Sequence, residues 1–107
     1  MPWKVGFLDE ETKAALDALP ADIRASFQRI VELIHEHGLE RVREPYLKHL
    51  EGPLWEMRLK GNSGIARAVY VTASGMRIVV VHVFAKKTQK TPRKEIVQAL
   101  KKAKEVQ

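Results

Sequence analysis

The sequence contains no cysteine, so neither a disulfide framework nor a thiolate metal site can form in this chain of 107 residues. Long apolar runs are also absent: the longest, at residues 78–81, is far too short to span a bilayer. No signal-peptide pattern opens the chain, and there are no repeats, low-complexity tracts or linkers. We therefore expect a soluble cytoplasmic protein that makes no membrane contact.

Several kinds of reaction centre lack their usual residues. Three histidines are scattered without a recurring ligand spacing, so no metal site is expected (His35, His37 and His49). The single Gly-x-x-Gly at residues 61–64 is too weak a signal for a phosphate-binding loop. Ser63 and Ser74 lie in predicted turns with no histidine–acid relay, which argues against a hydrolase triad. We expect no cofactor.

The positive charge is concentrated at one end of the chain. Residues 1–81 hold 11 Lys or Arg and 11 Asp or Glu, and so carry no net charge. Residues 82–107 hold eight basic and two acidic residues, so this quarter supplies the whole net charge of +6. A concentrated positive field attracts polyanions, although a solvated helix face would have the same composition. With 45% hydrophobic residues, the chain can bury one core, and we expect a single domain over residues 1–107.

The first half of the chain predicts a strand followed by two helices. Residues 3–8 are typical of a short strand, and Asp9 is placed to cap a helix that ends before Pro20. A second helix is predicted to begin near Pro20 and to end at Gly38. Its apolar residues recur every three or four positions, which predicts one buried stripe (Ile23, Phe27, Ile30, Val31 and Ile34).

The second half predicts strands and a last helix. After an irregular stretch around Pro45, apolar residues alternate with charged ones from Trp55 to Lys60, as in a strand with one wet face. Turns at 61–64 and 74–75 separate this strand from two more, at 65–72 and 76–85. Pro92 precedes a basic helix at about 93–106. The expected fold is α+β, with the N-terminal strand and two helices packed on an antiparallel sheet and a basic C-terminal helix.

Two-residue loops at both turns would bring basic residues of three strands into one row. They place Arg58 opposite Arg67, and Arg67 opposite His82, with Lys60 and Lys86 on the same face. The other face would then be the floor for the helices (Trp55, Met57, Leu59, Tyr70, Val79, Val81 and Val83). Like charges directly opposite in a sheet cost up to about 1 kcal/mol per pair, which an anionic ligand would offset. The alternative is that both arginines are ordinary exposed residues that pair with Glu51 or Glu56.

Two stretches of the second half resemble a known family. The segment "LWEMRLKGNSGIARAVYV" and the segment "VVVHVFAKKTQKTPRKEI" are similar to the phage-derived, HigB-like branch of the RelE/ParE toxin superfamily. The most specific part of the resemblance is the stretch from His82 to Pro92, which leads into the basic helix. The order of elements extends the resemblance to essentially the whole chain. It implies a RelE-like fold and a ribosome-dependent messenger-RNA endonuclease encoded beside a helix-turn-helix antitoxin.

The resemblance also implies roles for residues on the open face of the sheet. Arg58 and Lys60 match the basic pair of one strand, Arg67 matches the arginine of the next, and the basic end of the last strand is matched by three residues (His82, Lys86 and Lys87). No tyrosine follows the last strand, so the general base remains unassigned.

Cleavage would proceed by attack of the ribose 2′-hydroxyl on the adjacent phosphorus, giving a 2′,3′-cyclic phosphate. Arg67 is the expected donor to the charge that develops on the phosphate oxygens. Arg58 and Lys60 would hold flanking phosphates, His82 would serve as an acid or base, and Lys86 and Lys87 would bind phosphate or protonate the leaving oxygen. Three residues of the tail are expected to bind ribosomal RNA (Lys90, Arg93 and Lys94).

The implied partners are a HigA-like antitoxin, the ribosome and messenger RNA, with operator DNA contacted only through the antitoxin. Two other functions remain open. A ParE-like chain would inhibit DNA gyrase and cleave nothing. A non-catalytic RNA-binding module would stack bases on exposed rings, whereas Trp55 and Tyr70 are predicted to face the core and only Phe84 to point outward.

Overall fold

The computed structural model describes residues 3–87 and 90–106. It contains five strands, three α-helices and a short 3-10 turn at Leu39–Arg41. In chain order the elements are β1 (Lys4–Phe7), α1 (Glu10–Asp17), α2 (Ala21–His37), β2 (Leu47–Glu51), β3 (Leu54–Gly61), β4 (Gly64–Ala73), β5 (Arg77–Lys86) and α3 (Arg93–Ala103). None of the helices in the described part of the chain is long and apolar enough to cross a membrane.

The five strands form one sheet in the order β1-β5-β4-β3-β2. Strands β2 to β5 are an antiparallel meander, and β1 pairs in parallel with β5 at the far edge. Residues of α1 and α2 share a hydrophobic cluster with one face of the sheet, and residues of α3 share a second cluster with the other face. The predicted α+β architecture is therefore confirmed, with one helical layer on each side of the sheet.

The two N-terminal helices begin and end where the sequence predicts. The Asp9 carboxylate accepts hydrogen bonds from the Thr12 amide at 2.8 Å and the Thr12 hydroxyl at 2.6 Å, which caps α1. These bonds hold the pKa of Asp9 below its usual range. Helix α2 follows Pro20 and ends at Gly38, whose φ of 88° suits glycine. All five residues of its predicted apolar stripe are buried.

The hairpin β4–β5 differs from the predicted register in two ways. Ala73 pairs with Arg77, so the loop holds three residues, 74–76, instead of two. Met76, in this loop, takes a positive φ of 56°. A bulge at Val81 then shifts the register again, because Val69 pairs with His82 while Tyr70 pairs with Val80. Arg67 consequently lies opposite Phe84, and its predicted pairing with His82 is wrong.

These shifts change the predicted faces of β5. The floor under α1 and α2 includes Met57, Leu59, Tyr70 and Val83 as predicted, but it takes Ile78 and Val80 in place of Val79 and Val81. The last two residues pack on the opposite face beside α3. Trp55 was expected in the core and is 41% exposed.

Strand β2 was not predicted, because the stretch around Pro45 shows no apolar alternation. Its central residues Lys48 and His49 are both exposed, and Leu47 is its one fully buried side chain. Strand β2 pairs with β3, so that Lys48 lies opposite Glu56. The sheet is therefore one strand wider than expected on the side where the basic residues lie.

Helix α3 covers the apolar half of the second face. Ala99 is fully buried, and Ile96, Leu100 and Val106 pack against valines of β4 and β5, whereas Val97 is 39% exposed. The apolar residues of this half belong to three strands (Leu54, Val69, Val71, Val79 and Val81). The other half of the same face carries the charged residues.

Candidate functional site

The charged half of the second face holds a basic cluster. We use this name for five cations and one carboxylate whose positions in the strand pairing put them on one face (Lys48, Arg58, Lys60, Arg67, Lys86 and Glu56). They come from four adjacent strands, β2 to β5. The predicted pairing of Arg58 with Arg67 is confirmed at the centre of this cluster.

Arg67 is buried, with a residue exposure of 2%. Its Nη1 donates to the backbone carbonyl of Ala66 at 3.0 Å, and its Nε lies 3.4 Å from Oε2 of Glu56. Burial lowers the pKa of Arg67, the charge of Glu56 opposes this shift, and the charge of Arg58 adds to it. The expectation of an exposed arginine is therefore wrong, and the side chain lies beneath the surface that a ligand would meet.

Glu56 is the carboxylate at the centre of the cluster, and it is 2% exposed. Its Oε1 accepts a hydrogen bond of 2.6 Å from the hydroxyl of Thr91, and its Oε2 lies 3.6 Å from Nε of Arg58. Glu56 thus joins β3, β4 and the segment that precedes α3. The pairing of Arg58 with Glu56, which the sequence left as an alternative, is present together with the arginine pair.

Lys86 lies at the end of β5 in the same cluster and is 9% exposed. Burial lowers the pKa of Lys86 to about 8, with a further decrease from the charge of Arg67 and smaller ones from Arg58 and Lys48. Glu56 acts in the opposite direction. An amine with this pKa can both accept and donate a proton near neutral pH, which a typical exposed lysine cannot do.

The remaining cations of the cluster, and Lys87 just after β5, are accessible. The Arg58 side chain is 23% exposed, and Lys60 and Lys87 are exposed to solvent. Lys48 is also exposed and extends the positive surface to the edge of the sheet. Accessible cations around a buried arginine form a surface that suits an extended anion.

His82 lies outside the cluster. Its side chain is on the same face but is 12% exposed, and its Nε2 lies 2.7 Å from Oε1 of Glu95 in α3. Its ring also packs against Phe84, with 5.4 Å between the centroids. His82 therefore ties α3 to β5, and the structure does not bring it together with Arg67.

The tail cations are dispersed. Arg93 donates to both carboxylate oxygens of Glu51, which raises the pKa of Arg93 and lowers that of Glu51. Lys90 and Lys94 are exposed. Residues 88 and 89 of the stretch that carries the family resemblance lie outside the described residues.

A separate cavity of about 670 Å³ lies beside β2, and Leu47, Trp55 and Tyr70 are among its lining residues. The Trp55 ring packs on His49 at a centroid distance of 5.1 Å. Tyr70 is deeply buried, and burial raises its pKa, so its hydroxyl stays protonated and is a poor base. In the described part of the chain, no group of three or more His, Cys, Asp or Glu residues is arranged to hold a metal ion.

Three residues of the site were missed by sequence reasoning. Lys48 was missed because β2 was not predicted. Glu56 was noticed only as a partner for exposed arginines, although its even spacing from Arg58 and Lys60 already placed it on their face. Thr91 gave no signal of its own beyond its place in the Lys-Lys-Thr-Gln-Lys-Thr-Pro stretch.

The family of the chain follows from comparison with known proteins. The model of the phage-derived, Gp49-like protein family matches residues 14–104. This chain belongs to that Gp49-like family. A comparison with curated proteins gives no match.

The fold of this Gp49-like chain is similar to that of an archaeal structure. It superposes with a TM-score of 0.56 on a chain of the RelE–RelB complex from Pyrococcus horikoshii OT3, with 20% sequence identity. The match covers 79% of this chain and 96% of the other. Family and fold together confirm the resemblance to the RelE/ParE superfamily and the RelE-like fold.

Proposed function

We propose that this protein is the toxin of a type II toxin–antitoxin system and that it cleaves messenger RNA on the ribosome in the cytoplasm. The observation that carries the proposal is the basic cluster, where Arg58 faces Arg67 and Lys86 is desolvated beside them. Folding alone gains nothing from gathering cations at one end of a sheet. A phosphodiester backbone lying across this end would offset their repulsion.

The proposed reaction is attack of the ribose 2′-hydroxyl on the neighbouring phosphorus, which releases a 5′-hydroxyl and leaves a 2′,3′-cyclic phosphate. Lys86 is the group best suited to move the proton. Because its pKa is lowered to about 8, Lys86 is a neutral amine near pH 7 more often than an exposed lysine is. As an ammonium it is also a stronger acid than an exposed lysine, and so can protonate the leaving oxygen.

Arg67 contributes as a fixed positive charge beneath the reacting phosphate. Its burial argues against the direct contact expected from the sequence unless the residues above it move. A guanidinium held in a low-dielectric environment still stabilises negative charge that develops nearby. It also helps to keep the pKa of Lys86 low.

The exposed cations are proposed to bind the RNA on either side of the cleaved bond. Arg58, Lys60 and Lys87 are accessible beside Lys86, and Lys48 extends their surface across β2. Lys90 and Lys94 are proposed to contact ribosomal RNA. Arg93 pairs with Glu51 at the surface and is proposed to contact the same RNA. His82 is engaged by Glu95, so it is not available as an acid or base in this arrangement.

A HigA-like antitoxin with a helix-turn-helix domain is the proposed partner. The similar archaeal structure is itself a RelE–RelB complex, which supports a partner protein for a chain of this fold. Any contact with operator DNA would run through that antitoxin. Co-expression of the neighbouring gene should give a complex that co-purifies, with growth restored.

The decisive experiment is induced expression in growing cells, with message ends mapped by primer extension. Cleavage within translated messages is expected from the parent protein and not from Lys86→Met. Purified protein should leave naked RNA intact, since a mostly protonated Lys86 is a weak base without a substrate held in place. Growth arrest without message cleavage, with supercoiling lost instead, would establish the gyrase alternative.

A further inference from the structure

We propose that Glu56 is a positioning residue of the cleavage site, which fixes Arg67 and the segment before α3 and thereby sets the place and charge of Lys86. This inference rests on the proposed nuclease function and adds to it a residue that touches no substrate. Glu56 is 2% exposed, so it acts through its neighbours.

The first support is the geometry of the carboxylate. One oxygen accepts the short bond from Thr91, and the other lies between the Nε atoms of Arg58 and Arg67. Thr91 is itself only 8% exposed, so this bond is made away from competing water. Two strands and the start of the C-terminal segment are thus joined at one buried group.

The second support is the balance of charge around Lys86. Lys48 on β2, Arg58 on β3 and Arg67 on β4 all disfavour its protonated form, and Glu56 is the acid that favours it. The segment after β5 adds the exposed cations Lys87 and Lys90. Without the carboxylate, the cations would repel one another and the proton of Lys86 would be held less tightly.

Folding alone does not require a buried ion pair at this position. Apolar residues in place of both Glu56 and Arg67 would leave no charge to desolvate, and such replacements of a whole pair are often neutral or stabilising, whereas loss of one partner alone is destabilising. Glu56 is bonded to the segment that follows Lys86 and is paired with Arg67. These two contacts are the ones that a residue positioning Lys86 needs.

The test is a titration of Lys86 in the purified full-length chain, followed by its side-chain ¹³Cε resonance from about pH 6 to 10. Glu56→Gln should lower the pKa of Lys86 by about half a unit or more, because the opposing charge is removed. Glu56→Asp keeps the charge on a shorter side chain. The pKa of Lys86 in this variant should therefore lie between those in the parent and in Glu56→Gln. Thr91→Val removes the hydrogen bond alone and should leave this pKa close to that of the parent.

Activity provides the second readout. Message cleavage in cells should fall about 10- to 100-fold in Glu56→Gln and partly recover in Glu56→Asp, in step with the geometry of the site. Glu32→Gln, which removes an exposed carboxylate from α2, is the matched control and should behave like the parent. If Glu56→Gln does not fold, the Lys86 pKa is compared in the other two variants. It should be lower than in the parent in Glu56→Asp and close to the parent in Thr91→Val.

An unchanged Lys86 pKa in both Glu56 variants would overturn the inference, as would a loss of cleavage that only follows a loss of folded protein. The titration is independent of nuclease activity. If the parent protein cleaves no message while Lys86 responds to Glu56 as described, the proposed function fails and the role of Glu56 in setting Lys86 stands.

Discussion

Arg58 and Arg67 lie directly opposite each other on β3 and β4, and the carboxylate of Glu56 lies within 3.6 Å of both guanidinium Nε atoms. The pair of like charges is therefore partly compensated from within the sheet. Only Arg58 is open to solvent, since Arg67 is nearly fully buried. This asymmetry gives the two arginines different expected responses to substitution.

Arg67→Ala should destabilise the protein by about 2–3 kcal/mol, because it leaves part of a buried ion pair without its partner. An exposed strand arginine would cost about 0.5 kcal/mol or less. Chemical denaturation of the purified variants measures the difference, with Arg58→Ala as the more exposed comparison. Equal and small losses for the two variants would show that Arg67 is accessible in solution.

Lys86→Met should abolish message cleavage and should also change how stability depends on pH. Folding lowers the pKa of Lys86 from about 10.5 to about 8, so between these values the unfolded chain binds more protons at this group. The contribution of Lys86 to the free energy of unfolding therefore rises between pH 8 and pH 10.5, and it is least favourable below pH 8.

The measurement is the difference in unfolding free energy between the parent and Lys86→Met, taken across this pH range so that other titrating lysines cancel. As the pH rises, the unfolding free energy of the parent should increase relative to that of Lys86→Met. A constant difference would mean that Lys86 titrates as an exposed lysine, and its proposed part in proton transfer would then be lost.

The sequence predicted the helices well because their signals are local. Each signal depends only on nearby residues in the sequence. Asp9 caps α1, the apolar stripe of α2 is buried, and Gly38 ends α2, as predicted. The pairing of Arg58 with Arg67 was also predictable, because a two-residue loop with glycines on both sides fixes the register.

The predictions that were wrong concern features that depend on non-local packing. The bulge at Val81 and the positive φ of Met76 carry no local sequence signal, and together they moved His82 away from Arg67. The burial of Arg67 could not be predicted either, because it depends on neighbours from other strands and on the segment around Thr91. The sequence therefore predicted that Arg58, Arg67, Lys60 and Lys86 share one face, but it missed Lys48 and Glu56 and placed His82 wrongly.

Gly61→Ala should destabilise the β3–β4 hairpin by about 1–3 kcal/mol, since an added Cβ would lie 2.6 Å from the Asp22 carboxylate. That carboxylate accepts a hydrogen bond from the Ser63 amide at 2.8 Å, which fastens the turn to α2 and lowers the pKa of Asp22. Gly6→Ala on β1 is the matched control, because nothing lies within 4 Å of its added Cβ. Thermal melting of both variants is sufficient, and equal melting temperatures would contradict the close approach.

His82→Gln distinguishes a structural histidine from a catalytic one. The structure engages its Nε2 with Glu95 of α3, so the expected loss is one partly buried interaction, about 1 kcal/mol, with message cleavage retained. Hydrogen exchange should become faster in α3, and Glu95→Gln should reproduce that effect because it weakens the same contact from the other side. Cleavage is measured by primer extension at matched levels of folded protein. If His82→Gln abolishes cleavage while Glu95→Gln leaves it intact, the histidine acts on the RNA directly, and α3 must then move from β5 when substrate binds.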